Sequence, residues 1–404
     1  MPRGRHCVPR SRESHVKTNS RSAVLQAVRE LAPSLSARGA EIEQARRIPA
    51  DVIAQLKSAG VFRMFVPRSH GGLDLPLLEG LEVLEELGRI DGSLGWTTMI
   101  GVGSPHLFAV LPRSEFDAIH AASPDVIAAG AMATQGEART VAGGYRVTGR
   151  WNFATGCHHS DWFYGSCALK DENGKPVTGS DGKPALRTVL VPSSSARILD
   201  NWQVLGMRGS GSHDISVEDV FVPDVYAFDV AAAKPCLPSP HFVAPPLQIS
   251  LHIGSVAVGI AQAALDDVVA LAKSGKRRLY ARHTLRESPQ FQHRLGRAQS
   301  DLRAARAMLQ ELSGRFWTRC IEAPDSAMDF AAEILSTTAW LVDTSAEVVT
   351  ACYRASGTSP VRDGSSLQRR FRDIHVLTQH ASATDGWFAQ SGSTLLGFDF
   401  ALES

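Results

Sequence analysis

The feature that most constrains the fold is that the spacing of apolar residues changes twice along the chain. In the first third, residues such as Leu77, Leu81 and Leu84 recur at helical spacing. Residues 145–153 instead alternate between apolar and polar types, as a half-buried strand does. Long helical patterns return after residue 247. The chain is therefore predicted to fold as helices, then a β domain, then helices again.

This order predicts an α+β protein with three folded units. We expect a basic tail at 1–22, an N-terminal α-helical domain at 23–124, a central antiparallel β domain at 125–228, a linker at 229–246 and a C-terminal helical bundle at 247–404. Four long helices are predicted in the bundle, at roughly 247–275, 288–323, 325–354 and 366–390. Small residues in the first of them, including Gly254 and Gly259, predict close packing against its neighbours.

Composition excludes several classes of protein. The 404 residues carry a formal net charge of +1, which gives no basic surface for nucleic acid. The apolar run Leu251 to Leu265 is too short and too polar for a membrane span and predicts a buried helix. Six cysteines without a CxxC pair predict free thiols in a reducing cytoplasm. The basic residues 1–22 lack the apolar core of a secretory signal, so we expect a disordered tail or a start codon placed too far upstream.

Two glycine-containing segments are candidates for ligand binding. Trp151 to Gly156 ends a strand with aromatic residues, a hydroxyl and a glycine. An aromatic side chain can pack beside a flat ring system and a hydroxyl can reach its polar edge, although a plain strand end fits the same residues better. Leu205 to Asp214 is rich in glycine and serine, so its backbone N–H groups predict either an anion nest for phosphate or a simple tight turn.

Histidines and arginines supply the remaining candidates. If residues 372–381 form a helix, His380 shares an apolar face with Val376 and Leu377, which predicts an inward imidazole able to titrate near neutral pH. His375 is predicted to be solvated. His106 lies in an apolar stretch, where a lone histidine is more often structural. Arg282 is predicted either to bind a phosphate or to remain solvated.

Adjacent histidines at 158 and 159 point apart on a strand or loop, and no partner stands at ligand spacing. We therefore predict no metal site.

Several segments, taken in order, resemble the acyl-CoA dehydrogenase superfamily, and most closely its flavin-dependent monooxygenases that take reduced flavin from a separate reductase. The resemblance covers roughly residues 25 to 395. It depends on 62–67 with Gly71-Gly72, 91–96, Trp151 to Trp162, 206–212 and Arg372-Asp373. The fold implied is acyl-CoA dehydrogenase-like, with a helical domain, a β domain and a C-terminal four-helix bundle.

The C-terminal segment separates two chemistries within this superfamily. The commonest dehydrogenases carry a glutamate base that aligns, from Arg372-Asp373, with Ala381. Alanine cannot abstract a proton, whereas the monooxygenases place a histidine at the position of His380. Because some dehydrogenases keep their base elsewhere, a flavin adenine dinucleotide (FAD)-dependent acyl-CoA dehydrogenase with a displaced base stays the alternative.

The resemblance implies roles for individual residues. Thr155 matches a position that is usually serine, whose hydroxyl contacts the flavin near N5. His380 is implied to be the general base or the hydrogen-bond partner of substrate, and His106 to face the substrate. The implied catalytic residues are His380, His106 and Thr155. The implied cofactor-binding residues are Trp151, Phe153, Thr155, Arg208, Ser210, Gly211, Ser212 and Arg282. The implied substrate pocket adds Trp96, Met132 and Phe163.

The implied function is hydroxylation of a small, phenolic or indole-type aromatic substrate through a flavin C4a-hydroperoxide, with O₂ as co-substrate. Reduced flavin mononucleotide (FMN) or FAD would come from a separate NAD(P)H-dependent reductase, and the sequence does not distinguish the two flavins. A homotetramer is expected. A catalytically silent binding or assembly protein is a further alternative, which the retained Trp151, Thr155, Gly211 and Ser212 argue against.

Overall fold

The computed structural model describes residues 22–179 and 182–400. Residues 1–21 of the predicted basic tail lie outside this range. The α-helices of the described residues are α1 (Ala23–Ala37), α2 (Gly39–Ala45), α3 (Ala50–Ser58), α4 (Leu77–Ile90), α5 (Gly92–Val102), α6 (Ser104–Phe108), α7 (Arg113–Ala122), α8 (Pro245–Lys273), α9 (Pro289–Glu322), α10 (Ala331–Ala355), α11 (Ser366–Leu377) and α12 (Gly386–Leu395). The predicted order of helices, sheet and helices is confirmed.

The last predicted helix of the bundle is wrong in its length. The pattern predicts one helix at 366–390, but α11 ends at Leu377 and α12 begins at Gly386. A 3₁₀ turn, Ala381–Ala383, separates them, and the His380 side chain caps this turn by accepting a hydrogen bond from the Ser382 backbone N–H. A side chain that accepts a hydrogen bond from a nearby backbone N–H competes with the backbone hydrogen bonds that would continue the helix.

The central sheet contains seven strands within the described residues, in the order β5-β6-β2-β1-β3-β4-β7. Their bounds are β1 (Ala128–Val141), β2 (Gly144–Trp151), β3 (Trp162–Lys170), β4 (Leu186–Pro192), β5 (Arg197–Leu199), β6 (Asp214–Pro223) and β7 (Ala227–Phe228). The pair β1 and β3 is parallel and the other pairs are antiparallel, so the sheet is mixed rather than wholly antiparallel. The division of the chain into domains at 125, 229 and 247 stays a prediction.

Helix α8 is the central element of the helical core and packs on α4, α9, α10 and α11. Its predicted close packing is confirmed at Gly259, where an added Cβ would lie 2.1 Å from the Glu85 carbonyl oxygen of α4. Among the described helices, α8 alone has the length and hydropathy of a membrane span, and 67% of that window is buried inside the protein. Close packing on several sides explains why its sequence is apolar all round.

Candidate active site

Trp151 is a core residue of the sheet. Its side chain is 2% exposed, and its indole N–H donates to the Ser166 carbonyl oxygen at 2.9 Å. The ring fills space left by three glycines, because a Cβ on any of them would lie within 2.6 Å of it: Gly136, Gly149 and Gly165. A ring buried to this extent has no surface left for a ligand. This burial argues against the predicted contact of Trp151 with a flavin, which stays a prediction.

Phe153, two residues later, is the aromatic residue that the turn leaves free. It is 66% exposed and adopts a left-handed backbone conformation with φ 63°, which is uncommon for a bulky residue. The neighbouring Ala154 N–H donates to the His213 carbonyl oxygen at 3.0 Å, which holds the turn in place. The ring stands edge-on to Trp202 at 5.9 Å between centroids. Phe153 thus presents an open apolar face, and its contact with a flat ring stays a prediction. Trp202 is a neighbour that the sequence patterns did not single out.

The glycine- and serine-rich loop is held rigidly by the protein itself. The Met207 N–H donates to Asp373 Oδ1 at 2.6 Å, and the Gly209 N–H donates to Ser93 Oγ at 3.1 Å. The Ser210 N–H donates to the Met207 carbonyl oxygen at 3.0 Å. Since these three donors already have protein acceptors, they cannot form a nest for phosphate. The predicted anion nest is wrong for this part of the loop.

Arg208 anchors the same loop. Its Nε donates to the Val204 carbonyl oxygen at 2.8 Å, and its guanidinium lies 3.7 Å from the Glu43 carboxylate. Both partners belong to the protein, so the contacts seen for Arg208 position the loop against the segment that contains α2.

A continuous chain of side-chain hydrogen bonds joins the two candidate segments. Ser210 Oγ lies 2.7 Å from Ser212 Oγ, and Ser212 Oγ lies 2.8 Å from Thr155 Oγ1. The Trp96 indole N–H donates to Thr155 Oγ1 at 3.3 Å. The structure thus brings together four of the predicted site residues: Thr155, Ser210, Ser212 and Trp96. In the described part of the chain, no carboxylate takes part in this arrangement.

His380 contacts the ring of Trp96. The two rings meet edge to face with centroids 5.2 Å apart. Burial lowers the pKa of His380, so the imidazole is neutral at neutral pH. Its Nδ1 accepts the Ser382 backbone N–H at 3.2 Å, and because a backbone amide can only donate, the ring proton is assigned to Nε2. The neutral ring therefore offers a hydrogen-bond donor, Nε2–H, beside Trp96.

His106 belongs to a buried group of three histidines away from these contacts. Burial lowers the pKa of His106 to about 3 and that of His241 to about 4, and it lowers the pKa of His252 well below its ordinary value. The His241 and His252 rings pack against Phe65, with centroids 4.8 and 5.2 Å away. His106 packs edge-on to Phe242 instead. The predicted substrate-facing role of His106 is not supported by these contacts, which describe a residue of the interior.

This histidine group predicts loss of stability in mild acid. Each ring is neutral in the folded protein but takes up a proton in the unfolded chain below pH 6.5, so the free energy of unfolding should fall by about 1.4 kcal/mol per pH unit for each such ring. Thermal unfolding at pH 7 to 4.5 measures this. His241→Phe keeps a ring between Phe65 and Trp317. It removes one titrating group, together with the 3.8 Å contact of that group with Asp74, and should show a shallower loss. An equal loss in both proteins would contradict the assignment.

The remaining predicted residues lie in varied places. Phe163 is 1% exposed within the sheet core that contains Trp151, which argues against its role as a pocket wall, and that role stays a prediction. Met132 is exposed on β1 beside an irregularity in the pairing with β3. Arg282 is exposed between α8 and α9 and makes no ion pair with a described residue. No group of three metal-ligating side chains lies together in the described ranges.

Reasoning on residue type missed Asp373, a buried carboxylate that holds the glycine- and serine-rich loop. It is 1% exposed, and burial together with the nearby Asp91 carboxylate raises its pKa. Its bond to Met207 spans 166 residues of sequence. In the sequence, Arg372-Asp373 stands out only through the family resemblance, because nothing local to it indicates which loop it holds.

Comparison with known proteins adds an independent line of argument. Two family descriptions match: "Acyl-CoA dehydrogenase, N-terminal domain" over residues 18–109 and "Acyl-CoA dehydrogenase, C-terminal domain" over residues 251–385. An indole-3-acetate monooxygenase of Pseudomonas putida is 32% identical over 362 residues, covering 89% of this chain and 90% of that protein. A flavin-dependent monooxygenase, oxygenase subunit HsaA, of Rhodococcus jostii is 28% identical over 372 residues, covering 89% and 94%.

Among solved structures, a 3-HSA hydroxylase from Rhodococcus superposes with a TM-score of 0.85 and 25% identity, covering 95% of this chain and 99% of that one. The match extends through the helical, sheet and bundle regions alike. It confirms the predicted acyl-CoA dehydrogenase-like fold.

Proposed function

The chain belongs to the acyl-CoA dehydrogenase superfamily and, within it, to the flavin-dependent monooxygenases, and from this premise we propose that it is the oxygenase component of a two-component system. Its substrate is a small aromatic molecule, phenolic or indole-type, and hydroxylation proceeds through a flavin C4a-hydroperoxide. The observation that carries the proposal is the juxtaposition of the Thr155 hydroxyl, the Trp96 ring and the His380 imidazole.

The residues present fit a flavin. The open face of Phe153 suits the flat isoalloxazine ring, and the Thr155 hydroxyl beside it suits the polar edge of that ring. Reduced flavin, when bound, supplies the electrons for activation of O₂. The protein's part is to orient the ring and keep its surroundings dry, and the apolar rings of Phe153, Trp96 and Trp202 contribute to both.

His380 acts as a hydrogen-bond donor in this proposal. Its Nδ1 is occupied by the Ser382 N–H, so Nε2–H is the group free to reach an oxygen atom of the substrate. A donor there orients a phenolic oxygen or a carboxylate and stabilises negative charge that develops on it. Of the two roles that the family resemblance implies for His380, the geometry supports the hydrogen-bond partner over the general base.

The exposed turn between α8 and α9 supports assembly of several copies. Leu279 and Tyr280 are 82% and 96% exposed there, close in sequence to Arg282. Large apolar side chains exposed to this degree are typical of protein–protein contacts. We propose that this turn packs on a second copy in a homotetramer, where Arg282 meets the phosphate of that copy's flavin, and that a separate NAD(P)H-dependent reductase supplies the reduced flavin.

The function is tested by mixing the anaerobic protein with reduced FMN or reduced FAD, adding O₂ and following flavin absorbance by stopped flow. We expect a transient C4a-hydroperoxide spectrum that outlives the one formed by free flavin, with the preferred flavin giving the longer lifetime. Addition of phenolic and indole-type acids should then yield hydroxylated product.

Immediate oxidation with no transient would contradict the proposal. Bleaching of bound flavin by an acyl-CoA thioester without O₂ would favour the dehydrogenase alternative instead.

A further inference from the structure

The number of hydroxyl protons determines which residue donates to which in the hydrogen-bonded chain that ends at Thr155. An indole N–H can only donate, so Thr155 accepts from Trp96. The three hydroxyls of Thr155, Ser212 and Ser210 carry three protons, and two of these make the two hydroxyl–hydroxyl bonds. One proton is left over, on one of the three residues.

The remaining proton is least destabilising on the hydroxyl from which a ligand or solvent can accept it. Ser210 is 1% exposed and Ser212 3%, whereas Thr155 is 6% exposed and faces the half-buried Trp96. A buried O–H without an acceptor is destabilising, so the arrangements that strand the proton on either serine are disfavoured. The remaining arrangement has Ser210 donating to Ser212 and Ser212 donating to Thr155. Both lone pairs of the threonine oxygen are then used, and its own O–H is the one free donor.

We propose that Trp96, Ser212 and Ser210 are positioning residues that fix the Thr155 hydroxyl as a donor toward the bound flavin. The inference deepens the proposed function and rests on it. It also gives Ser212 a role different from direct contact with the flavin, because its hydroxyl is engaged on both sides by Thr155 and Ser210.

Trp96 links the Thr155 hydroxyl to the second hydrogen-bond donor of the site, the Nε2–H of His380. Its N–H holds Thr155, and its ring meets the His380 imidazole. Trp96→Phe removes the N–H and keeps an aromatic ring, so it should affect the flavin side of the site more than the substrate side.

The test is a double-mutant cycle on the affinity for reduced FMN and reduced FAD, measured anaerobically. Ser212→Ala should raise the Kd for the preferred flavin about tenfold, the size expected for one hydrogen bond. In a Thr155→Val background, Ser212→Ala should have no further effect, because Ser212 acts through the threonine. Ser166→Ala is the matched control, since Ser166 is also a buried serine (4% exposed) bonded to a threonine, Thr134, outside this chain of contacts. It should leave the Kd unchanged.

A second readout needs no flavin. The chain has seven tryptophans, so 5-fluorotryptophan labelling gives seven ¹⁹F resonances, and Trp96→Phe identifies the one from Trp96. Ser212→Ala should shift that resonance in the apoprotein, and Ser166→Ala should not.

An unmoved ¹⁹F resonance would overturn the hydrogen-bonded chain. If the resonance moves but Ser212→Ala leaves the Kd unchanged, or raises it equally in the Thr155→Val background, the role of the hydrogen-bonded chain toward the flavin would be overturned. Failure of the wild-type protein to bind either reduced flavin would instead refute the proposed function, and the ¹⁹F result distinguishes the two cases.

Discussion

Replacing His380 by alanine is expected to slow hydroxylation about 10²–10³-fold, the usual effect of deleting one donor that stabilises developing charge, while the affinity for reduced flavin stays near that of the wild type. The reason is positional: the His380 ring contacts the Trp96 ring, whereas the proposed contact with the flavin is made by the Thr155 hydroxyl, which Trp96 holds through its indole N–H. Single-turnover product formation and anaerobic flavin titration measure the two quantities. Loss of flavin affinity equal to the loss of rate would contradict the assignment.

A second substitution distinguishes a hydrogen-bond-donor role of His380 from a general-base role. His380→Gln can place an amide N–H where Nε2–H stands, but glutamine cannot accept a proton near neutral pH. A donor role predicts that glutamine restores much of the rate lost in alanine, and a base role predicts that it restores none. The wild-type rate should also not decline as His380 protonates below its lowered pKa, because the imidazolium keeps Nε2–H. His375→Ala is the matched control, since that ring bonds Thr350 at 3.1 Å instead.

The sequence predicts the helices and strands well, but it predicts less well which of them contact each other. Helical spacing and small residues in α8 were sufficient to predict its burial, because both are local properties of one segment. The parallel pairing of β1 with β3 is not local, and alternation along a strand carries no information about its neighbour.

The same limit explains the errors in the candidate site. Strand alternation places Trp151 on one face of the sheet, but glycines on β1, on β2 itself and on β3 decide that this face has room for its indole. The apolar pattern runs past Leu377 without a glycine or proline, so the end of α11 is set by contacts of His380 that periodicity does not register. Thr155, Ser210 and Ser212 are implied as cofactor-binding residues by the family resemblance, and the hydrogen bonds that join them appear only in the fold.

Replacing Asp373 by alanine should have the largest effect of any change away from the ligands. The Met207 N–H would lose its acceptor inside the protein, which costs about 1–3 kcal/mol. The loop that contains Ser210 and Ser212 starts at this bond, so its displacement should raise the Kd for reduced flavin about 10- to 100-fold. Anaerobic flavin titration and thermal unfolding measure both effects.

Asp373→Asn is the informative control because it keeps an oxygen for the Met207 N–H and carries no charge. Burial and the Asp91 carboxylate raise the pKa of Asp373 to about 7, so the folded protein holds a proton that the unfolded chain releases near pH 3.8. The contribution of Asp373 to the stability of the wild type therefore declines as pH rises from about 4 to 7, whereas the asparagine variant has no such group to ionise. We expect the variant to retain flavin affinity and to gain stability relative to the wild type as pH rises through this window. If asparagine loses the flavin as alanine does, the carboxylate charge, and not the acceptor for Met207, is what the loop requires.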